Sequence, residues 1–314
     1  MAIAVIGGAG FIGSNLVDEL LSQGFEVTVL DNMSEGKRSN LPTHHPKLEV
    51  VKGDIQDFDL VRRVVDNKSW VFHLAAMSRI QPSIKNPRLA IDQNIIGTYN
   101  VLEASKQAGV KRVVYSASSS AYGQANAIPN KEDMKEDCLN FYSLTKLAGE
   151  KMCQIYNDLY GLSCISLRYF NVYGPKHQEE GDYATVIAIF MRQLRLSKAM
   201  TVVGDGEKRR DFTFVSDVVK ANILAAMNRD ASGVVNIGTG RNFSINEVAT
   251  NVAKAMDKKR ETENLPDRPA EALKTLADNS KAYALLGWKP KVGFEQGLAI
   301  TAEFQRLNSP IILL

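Results

Sequence analysis

The chain has 314 residues, 45% of them hydrophobic and 23% charged, with 38 Lys and Arg against 35 Asp and Glu. That length can bury a sizeable core, in one large domain or two moderate ones, and the composition excludes disordered and fibrous classes. The basic residues are scattered rather than gathered with aromatics, and no apolar run reaches the roughly 20 residues of a membrane span, so neither a nucleic acid nor a membrane is expected as partner.

In chain order, strands are expected at 3–6, 26–30, 48–52, 70–74, 112–116 and 163–168, each an almost unbroken apolar run of the kind covered on both faces. Helices are expected between them at 11–23, 59–66, 88–107 and 141–160, the third ending at Gly109 in a left-handed cap. This alternation predicts an α/β fold: a doubly wound parallel sheet of Rossmann type. After about residue 175 the pattern loosens into helices broken by Gly and Pro loops. Ser244 and Glu247 form a capping box that opens a helix to about Met256. We read 1–175 as a dinucleotide-binding domain, with segments near 205–240 returning to it, and 176–314 as mainly a smaller mixed α/β lobe that binds substrate.

The first strand begins directly after Met1, which leaves no room for a signal or transit peptide. Three cysteines, Cys138, Cys153 and Cys164, and four histidines show no metal-ligand spacing. No metal is expected, and reduced thiols point to the cytoplasm. His73 reads as a packed core residue. The apolar tail at 311–314 is too short to anchor the chain and reads as a frayed or interface-packed terminus.

Gly7, Gly10 and Gly13 follow the first strand and open the first helix. Glycines there permit the tight turn and let backbone approach a pyrophosphate, which then faces the amides at the helix N-terminus. Asp31 ends the second strand, where its carboxylate can accept hydrogen bonds from ribose hydroxyls and would repel a 2′-phosphate, favouring NAD over NADP. The nearby Lys37 and Arg38 keep a phosphate partner open. Asp54 with Ile55, and Leu74, Ala75 and Ala76, follow later strands and are further candidate cofactor contacts.

Tyr142 and Lys146 are four residues apart on a helix, hence on one face. An unperturbed phenol titrates near ~10. A cation ~4 Å away at an effective dielectric of ~20 contributes ~4 kcal/mol, enough to bring the phenol close to neutrality and make it a general base. Leu144, Ala148, Met152, Ile155 and Leu159 form a separate apolar stripe, read as the side turned to the core so that Tyr142 and Lys146 look toward a cleft. The serine run Ser118, Ser119 and Ser120 follows the fifth strand at the carboxyl edge of the sheet, where ligands of such folds bind.

These motifs, together with His73-Leu74-Ala75-Ala76, the stretch 167–175, Arg209-Arg210-Asp211-Phe212 and 278–288, resemble the extended short-chain dehydrogenase/reductase family, particularly its UDP-glucose and UDP-N-acetylhexosamine 4-epimerases. The resemblance covers nearly the whole chain. It implies Ser118, Tyr142 and Lys146 as catalytic trio, and Phe11, Ile12, Asn32, Asn94 and Tyr169 as further NAD contacts. It implies Asn171, Thr185, Arg210, Arg268 and Thr275 as ligands of a UDP-sugar, with Ser119 and Ser120 within reach of it, and a homodimer built on a four-helix bundle of 88–107 and 142–160. The family's Arg-x-Gly-Asp stretch reads Arg268-Pro269-Ala270-Glu271 here. Thr275 stands where a bulky residue narrows the sugar pocket and a small one admits an N-acetyl group. The dehydratase and decarboxylase branches carry an acid in the serine loop; its absence here favours 4-epimerisation of a UDP-hexose. Another nucleotide-sugar activity of the same family and a non-catalytic NAD-binding regulator remain as alternatives.

Overall fold

The computed structural model describes residues 1–308, so the apolar tail lies outside the described residues. The first half runs β1 (Ala2–Ile6), α1 (Phe11–Ser22), β2 (Glu26–Asp31), β3 (Leu48–Lys52), α2 (Phe58–Val65), β4 (Trp70–His73), α3 (Ile80–Lys85), α4 (Pro87–Ile91), α5 (Gly97–Gln107), β5 (Arg112–Ser118), α6 (Phe141–Tyr160) and β6 (Cys164–Tyr169). The second half runs β7 (Val172–Tyr173), α7 (Val186–Arg195), β8 (Met200–Val203), β9 (Arg209–Asp211), β10 (Thr213–Phe214), α8 (Val215–Met227), β11 (Gly233–Ile237), β12 (Asn242–Ser244), α9 (Ile245–Ala255), β13 (Thr262–Leu265), α10 (Ser280–Leu286) and α11 (Phe294–Asn308).

Seven strands form one parallel sheet in the order β3-β2-β1-β4-β5-β6-β11. Its apolar strands are covered on both faces, which is what their unbroken hydrophobic sequence demands. On one face Leu16 and Leu20 of α1 pack with Val218 and Ile223 of α8. On the other, Val101 and Leu102 of α5 pack with Cys153 and Tyr156 of α6. Strand order reverses between β1 and β4, and a crevice opens at such a switch point beyond the carboxyl ends of the strands. The late strand β11 rejoins the sheet beside β6, in register from Gly233–Ile165 to Ile237–Tyr169. Arg112, fully buried, ties the same edge by donating to the carbonyls of Ala225 and Ala231 and to Ser163 Oγ.

A separate apolar cluster, with Phe190, Phe212, Phe214, Val248 and Phe294, organises the second lobe. The Ser244–Glu247 capping box opens α9, each side chain bonding the other's backbone amide. Three short strand pairs, β7 with β10, β9 with β12 and β8 with β13, lie outside the large sheet.

Two expectations change. The helix expected unbroken over 88–107 is interrupted by one wide π turn, Asp92–Ile96, between α4 and α5. And the apolar stripe of α6 does not face the core: Leu144 and Ile155 are each 49% exposed and Leu159 is 72% exposed. Ser143, Lys146, Gly149, Glu150, Cys153 and Tyr156 are the buried side of that helix. Gly149 explains the inversion, since a Cβ there would stand 2.1 Å from the Tyr115 hydroxyl; the small and polar face is the one that can approach the sheet closely.

Candidate active site

A cleft of about 900 Å³ runs from the glycine turn across the carboxyl ends of the strands to the second lobe. At one end Gly7, with φ +84°, lies so close to the loop after β4 that a Cβ would stand 2.5 Å from the Ala75 nitrogen, and one on Gly13 would stand 2.2 Å from the Gly7 carbonyl. This is the cradle a pyrophosphate needs: bare backbone leading into the N-terminus of α1. Asp31 holds the turn, accepting from the amides of Ala9 and Met33 at 2.9 Å each. Arg38 donates to the carbonyls of Leu41, Pro42 and Thr43. Neither it nor Lys37 lines the cleft, so the residues present fit NAD and offer no visible seat for a 2′-phosphate.

Asn32 donates to Asp54 at 2.8 Å, and Gln93, which the sequence reading did not single out, donates to the same carboxylate. Burial opposes the Asp54 charge, but hydrogen bonds from Asn32, the Gln56 amide and Gln93 prevail and hold its carboxyl below the ordinary range. Gly7, Gly10, Phe11, Ile12, Gly13, Asp31, Asn32, Asp54, Ile55, Leu74, Ala75, Ala76 and Tyr169 all line the cleft. Asn94 does not. The π turn sends its side chain inward, where it accepts from the Met77 amide at 2.8 Å, donates to the Met77 carbonyl at 3.0 Å and bonds Thr145 Oγ1 at 2.9 Å. Its place is beneath the wall that the loop after β4 forms, behind the residues that line the cleft.

At the middle of the cleft α6 begins with Asn140, whose side chain accepts from the Ser143 amide while the Ser143 hydroxyl takes the Asn140 amide, a second capping box. The Tyr142 amide donates to Ser83 Oγ of α3 at 3.1 Å, so the phenol is set by two elements. Burial pushes the phenol above its ordinary range, against a hydrogen bond from Ser118 and the charge of Arg79, which both favour the phenolate. Ser118 also accepts from the Ser120 amide and hydroxyl, fixing the serine run.

Lys146 lines the cleft but is not among the groups that act on Tyr142. Its ammonium rests 4.5 Å from the centre of the Tyr115 ring, drawn there by the ring face and by Glu150 one turn on. Burial lowers its pKa to about 8, with Glu150 opposing. The groups that favour the phenolate of Tyr142 in the protein itself are thus Ser118 and Arg79, rather than the Lys146 that its spacing suggested. Arg79 escaped the sequence reading because it sits in a loop with no periodic or motif context. His73 is buried, bonded through Nε2 to Thr98 Oγ1 at 2.9 Å, and held neutral with a pKa lowered to about 3 by burial and by Lys146.

At the far end Asp211 accepts from Thr239, Gly240 and Ala277 and so fixes the strand that carries Arg210. Asn171, Thr185, Arg210, Arg268 and Thr275 line this end, and Ser118, Ser119 and Ser120 the middle. Asn171 and the Asp211 amide both donate to Thr275 Oγ1. Arg210 is 3.6 Å from Glu271.

The family model described as GDP-mannose 4,6 dehydratase matches residues 4–301. The chain belongs to this family. Within it, the chain is 39% identical to UDP-glucose 4-epimerase of Mycolicibacterium smegmatis, over 98% of this chain and 100% of that protein. Its structure is similar to UDP-glucose 4-epimerase of Thermotoga maritima solved with UDP-glucose: TM-score 0.93, 36% identity, 98% and 99% of the two chains covered. It is also similar to the Thermus thermophilus UDP-glucose 4-epimerase solved with NAD: TM-score 0.90, 34% identity, 98% and 99% covered. Among the described residues no His, Cys, Asp and Glu group could hold a metal ion, and no helix is long and apolar enough to cross a membrane.

Proposed function

We propose that the protein interconverts 4-epimers of a UDP-activated hexose by transient oxidation at C4, with NAD as resident cofactor. The observation that carries this reading is the phenol of Tyr142 beside Ser118, in one cleft with the glycine cradle and Asp31 at one end and Arg210 and Arg268 at the other. When bound, NAD supplies reversible hydride exchange with C4. Tyr142 takes the proton of the 4-hydroxyl and later returns one, while Ser118 hydrogen-bonds the same oxygen and lowers the cost of the phenolate. Asn171, Thr185, Arg210 and Arg268 hold the nucleotide and diphosphate, so the sugar can turn over and offer its other face to the same groups. The serine run carries no carboxylate to eliminate water, which favours epimerisation over dehydration. Thr275, a small residue, leaves room for an N-acetyl group. Two copies are proposed to pair through α5 and α6, and the thiols of the described residues, all free, agree with a cytoplasmic setting.

The test is incubation of purified protein with UDP-glucose, UDP-N-acetylglucosamine and UDP-glucuronate without added cofactor, followed by NMR of the sugar. The expected result is a mass-conserving mixture of 4-epimers, NAD released on heat denaturation, and a loss of about 10³-fold or more in Tyr142→Phe. NAD release without any conversion would instead make the protein a cofactor-binding regulator, and loss of water or carbon dioxide would place it in another branch of the family.

A further inference from the structure

The loop that carries Arg268 joins the two lobes across the cleft. Asp267, Arg268 and Pro269 are exposed, while Arg268, Ala270 and Glu271 line the cleft. On the side of the second lobe the loop is tied to β9. The Arg209 amide donates to the Leu273 carbonyl at 2.9 Å, the Thr275 amide to the Arg209 carbonyl at 3.1 Å, and the Arg210 guanidinium to the Leu273 carbonyl at 3.2 Å. Toward the large sheet, two hydrogen bonds hold 267–272 among the described residues. Gln81 Nε2 of α3 reaches the Pro269 carbonyl at 3.5 Å, and Asn140 Nδ2 donates to the Ala270 carbonyl at 3.1 Å.

Asn140 is also the N-cap of α6. Its Oδ1 accepts from the Ser143 amide at 2.9 Å, so one side chain opens the helix with its oxygen and grips the loop with its nitrogen. The orientation of this amide is fixed, because a backbone N–H only donates and a carbonyl only accepts. Capping needs no more than an acceptor, which serine or aspartate supplies equally well; the bond to the loop needs the donor that asparagine adds. The receiving residue is held in place too. Ala270 has φ +60°, a left-handed backbone that is costly for a residue with a Cβ and persists where surrounding contacts hold it. Gln81 belongs to the same short helix as Ser83, whose hydroxyl receives the Tyr142 amide. The loop thus touches both elements that set the phenol.

We infer that Asn140 is a positioning residue, which ties the loop bearing Arg268 to the first turn of α6 and so couples a diphosphate held at the second lobe to the phenol of Tyr142. The inference rests on the reading of the cleft as a nucleotide-sugar site and adds a route by which one end of it senses the other. A ligand that engages Arg268 orders an exposed loop and with it the Ala270 carbonyl. Through Asn140 the turn that aims Tyr142 is ordered as well. The consequence falls on turnover rather than affinity, because a ligand held by Arg210 and Arg268 but met by a slightly displaced phenol reacts slowly.

The experiment compares the full chain with Asn140→Ser, which keeps a cap acceptor but is too short to reach Ala270, and with Asn140→Ala, which loses both bonds. Thermal denaturation and NAD content check folding: Asn140→Ser is expected to melt close to the native protein, and Asn140→Ala lower, from the lost cap. Asn140→Ser is expected to bind UDP as the native chain does, by calorimetry. Its kcat with UDP-glucose or UDP-N-acetylglucosamine is expected to fall about tenfold or more with KM little changed. In an Arg268→Ala background the same substitution is expected to cost far less, since the loop then has no hold on the ligand to transmit. Amide exchange measures the coupling without turnover. UDP is expected to slow exchange in 266–272 and in the first turn of α6 of the native protein, and in 266–272 alone in Asn140→Ser. That pattern supports the inference even if no sugar is epimerised and the wider functional reading falls. Equal losses of kcat in both backgrounds, protection of α6 by UDP that survives Asn140→Ser, or no such protection in the native protein would overturn it, whether or not the chain is an epimerase.

Discussion

Tyr142 is pulled two ways. Burial favours its neutral form, while Ser118 and Arg79 favour the phenolate, and in the proposed reaction this balance would set the pH at which it acts as a base. A hydrogen bond made to the charged form lowers a pKa, so removing it must raise that pKa. Ser118→Ala is therefore expected to slow turnover about ten- to hundredfold at neutral pH and to displace the rising limb of the kcat profile toward alkaline pH, so that part of the loss is recovered there. A profile with an unshifted limb would remove Ser118 from this role. His73 cannot supply that limb, because its pKa of about 3 leaves it neutral throughout the working range. Gly7, Asp31, Ser118 and Tyr142 could be singled out in the sequence by residue type and by their distance from strand ends, and the structure brings all four to one cleft. Arg79 could not, since nothing in a loop sequence says that its guanidinium acts on a phenol carried by another element.

Among the elements, the π turn at Asp92–Ile96 is the piece that spacing could not forecast. The chain stays helical without a break through the wide turn, and nothing in its composition marks the extra residue, so 88–107 reads as a single helix. Its effect is local: Asn94 is rotated inward to grip both polar atoms of the Met77 backbone. Asn94→Ala leaves a buried amide and carbonyl without partners, a change of about 2 kcal/mol. We expect a thermal midpoint lower by several degrees and faster loss of NAD from the Asn94→Ala protein, while turnover per bound cofactor is retained. Dialysis against cofactor-free buffer with a calorimetric melt checks both, and a variant that melts and retains NAD like the native chain would contradict the account. The capping boxes at Asn140 and Ser244 illustrate the opposite case. Ser244 was legible because a glutamate follows at the third position, whereas Asn140 pairs with a serine and carries a weaker signature.

For the whole molecule, the exposed side of α6 matters most. Leu144, Ile155, Leu159 and Tyr160 stand out of its surface, and Ile96 and Tyr99 stand out of the neighbouring turn and helix. Periodicity identified the stripe correctly but could not say against what it packs, since an apolar face meets its own core or a second copy by the same pattern. An exposed apolar patch of this kind marks an interaction surface, and two copies joined by α5 and α6 would cover it in a four-helix bundle. Sedimentation is expected to give a dimer. Leu144→Glu combined with Ile155→Glu is expected to shift it to monomer by placing like charges across the two-fold axis; a native monomer, or a double variant that still dimerises, would refute that arrangement.

The late return of β11 to the far edge of the large sheet also bears on how the protein is made. While a nascent chain has emerged only to about residue 175, β6 is an open edge of the kind that pairs with strangers, and the Arg112 guanidinium lacks the Ala225 and Ala231 carbonyls that later receive it. The large sheet thus closes only once the chain has been synthesised through β11, well into the second lobe. Until β11 arrives, the open edge of the sheet is therefore the strand beside β5, whose last residue is Ser118.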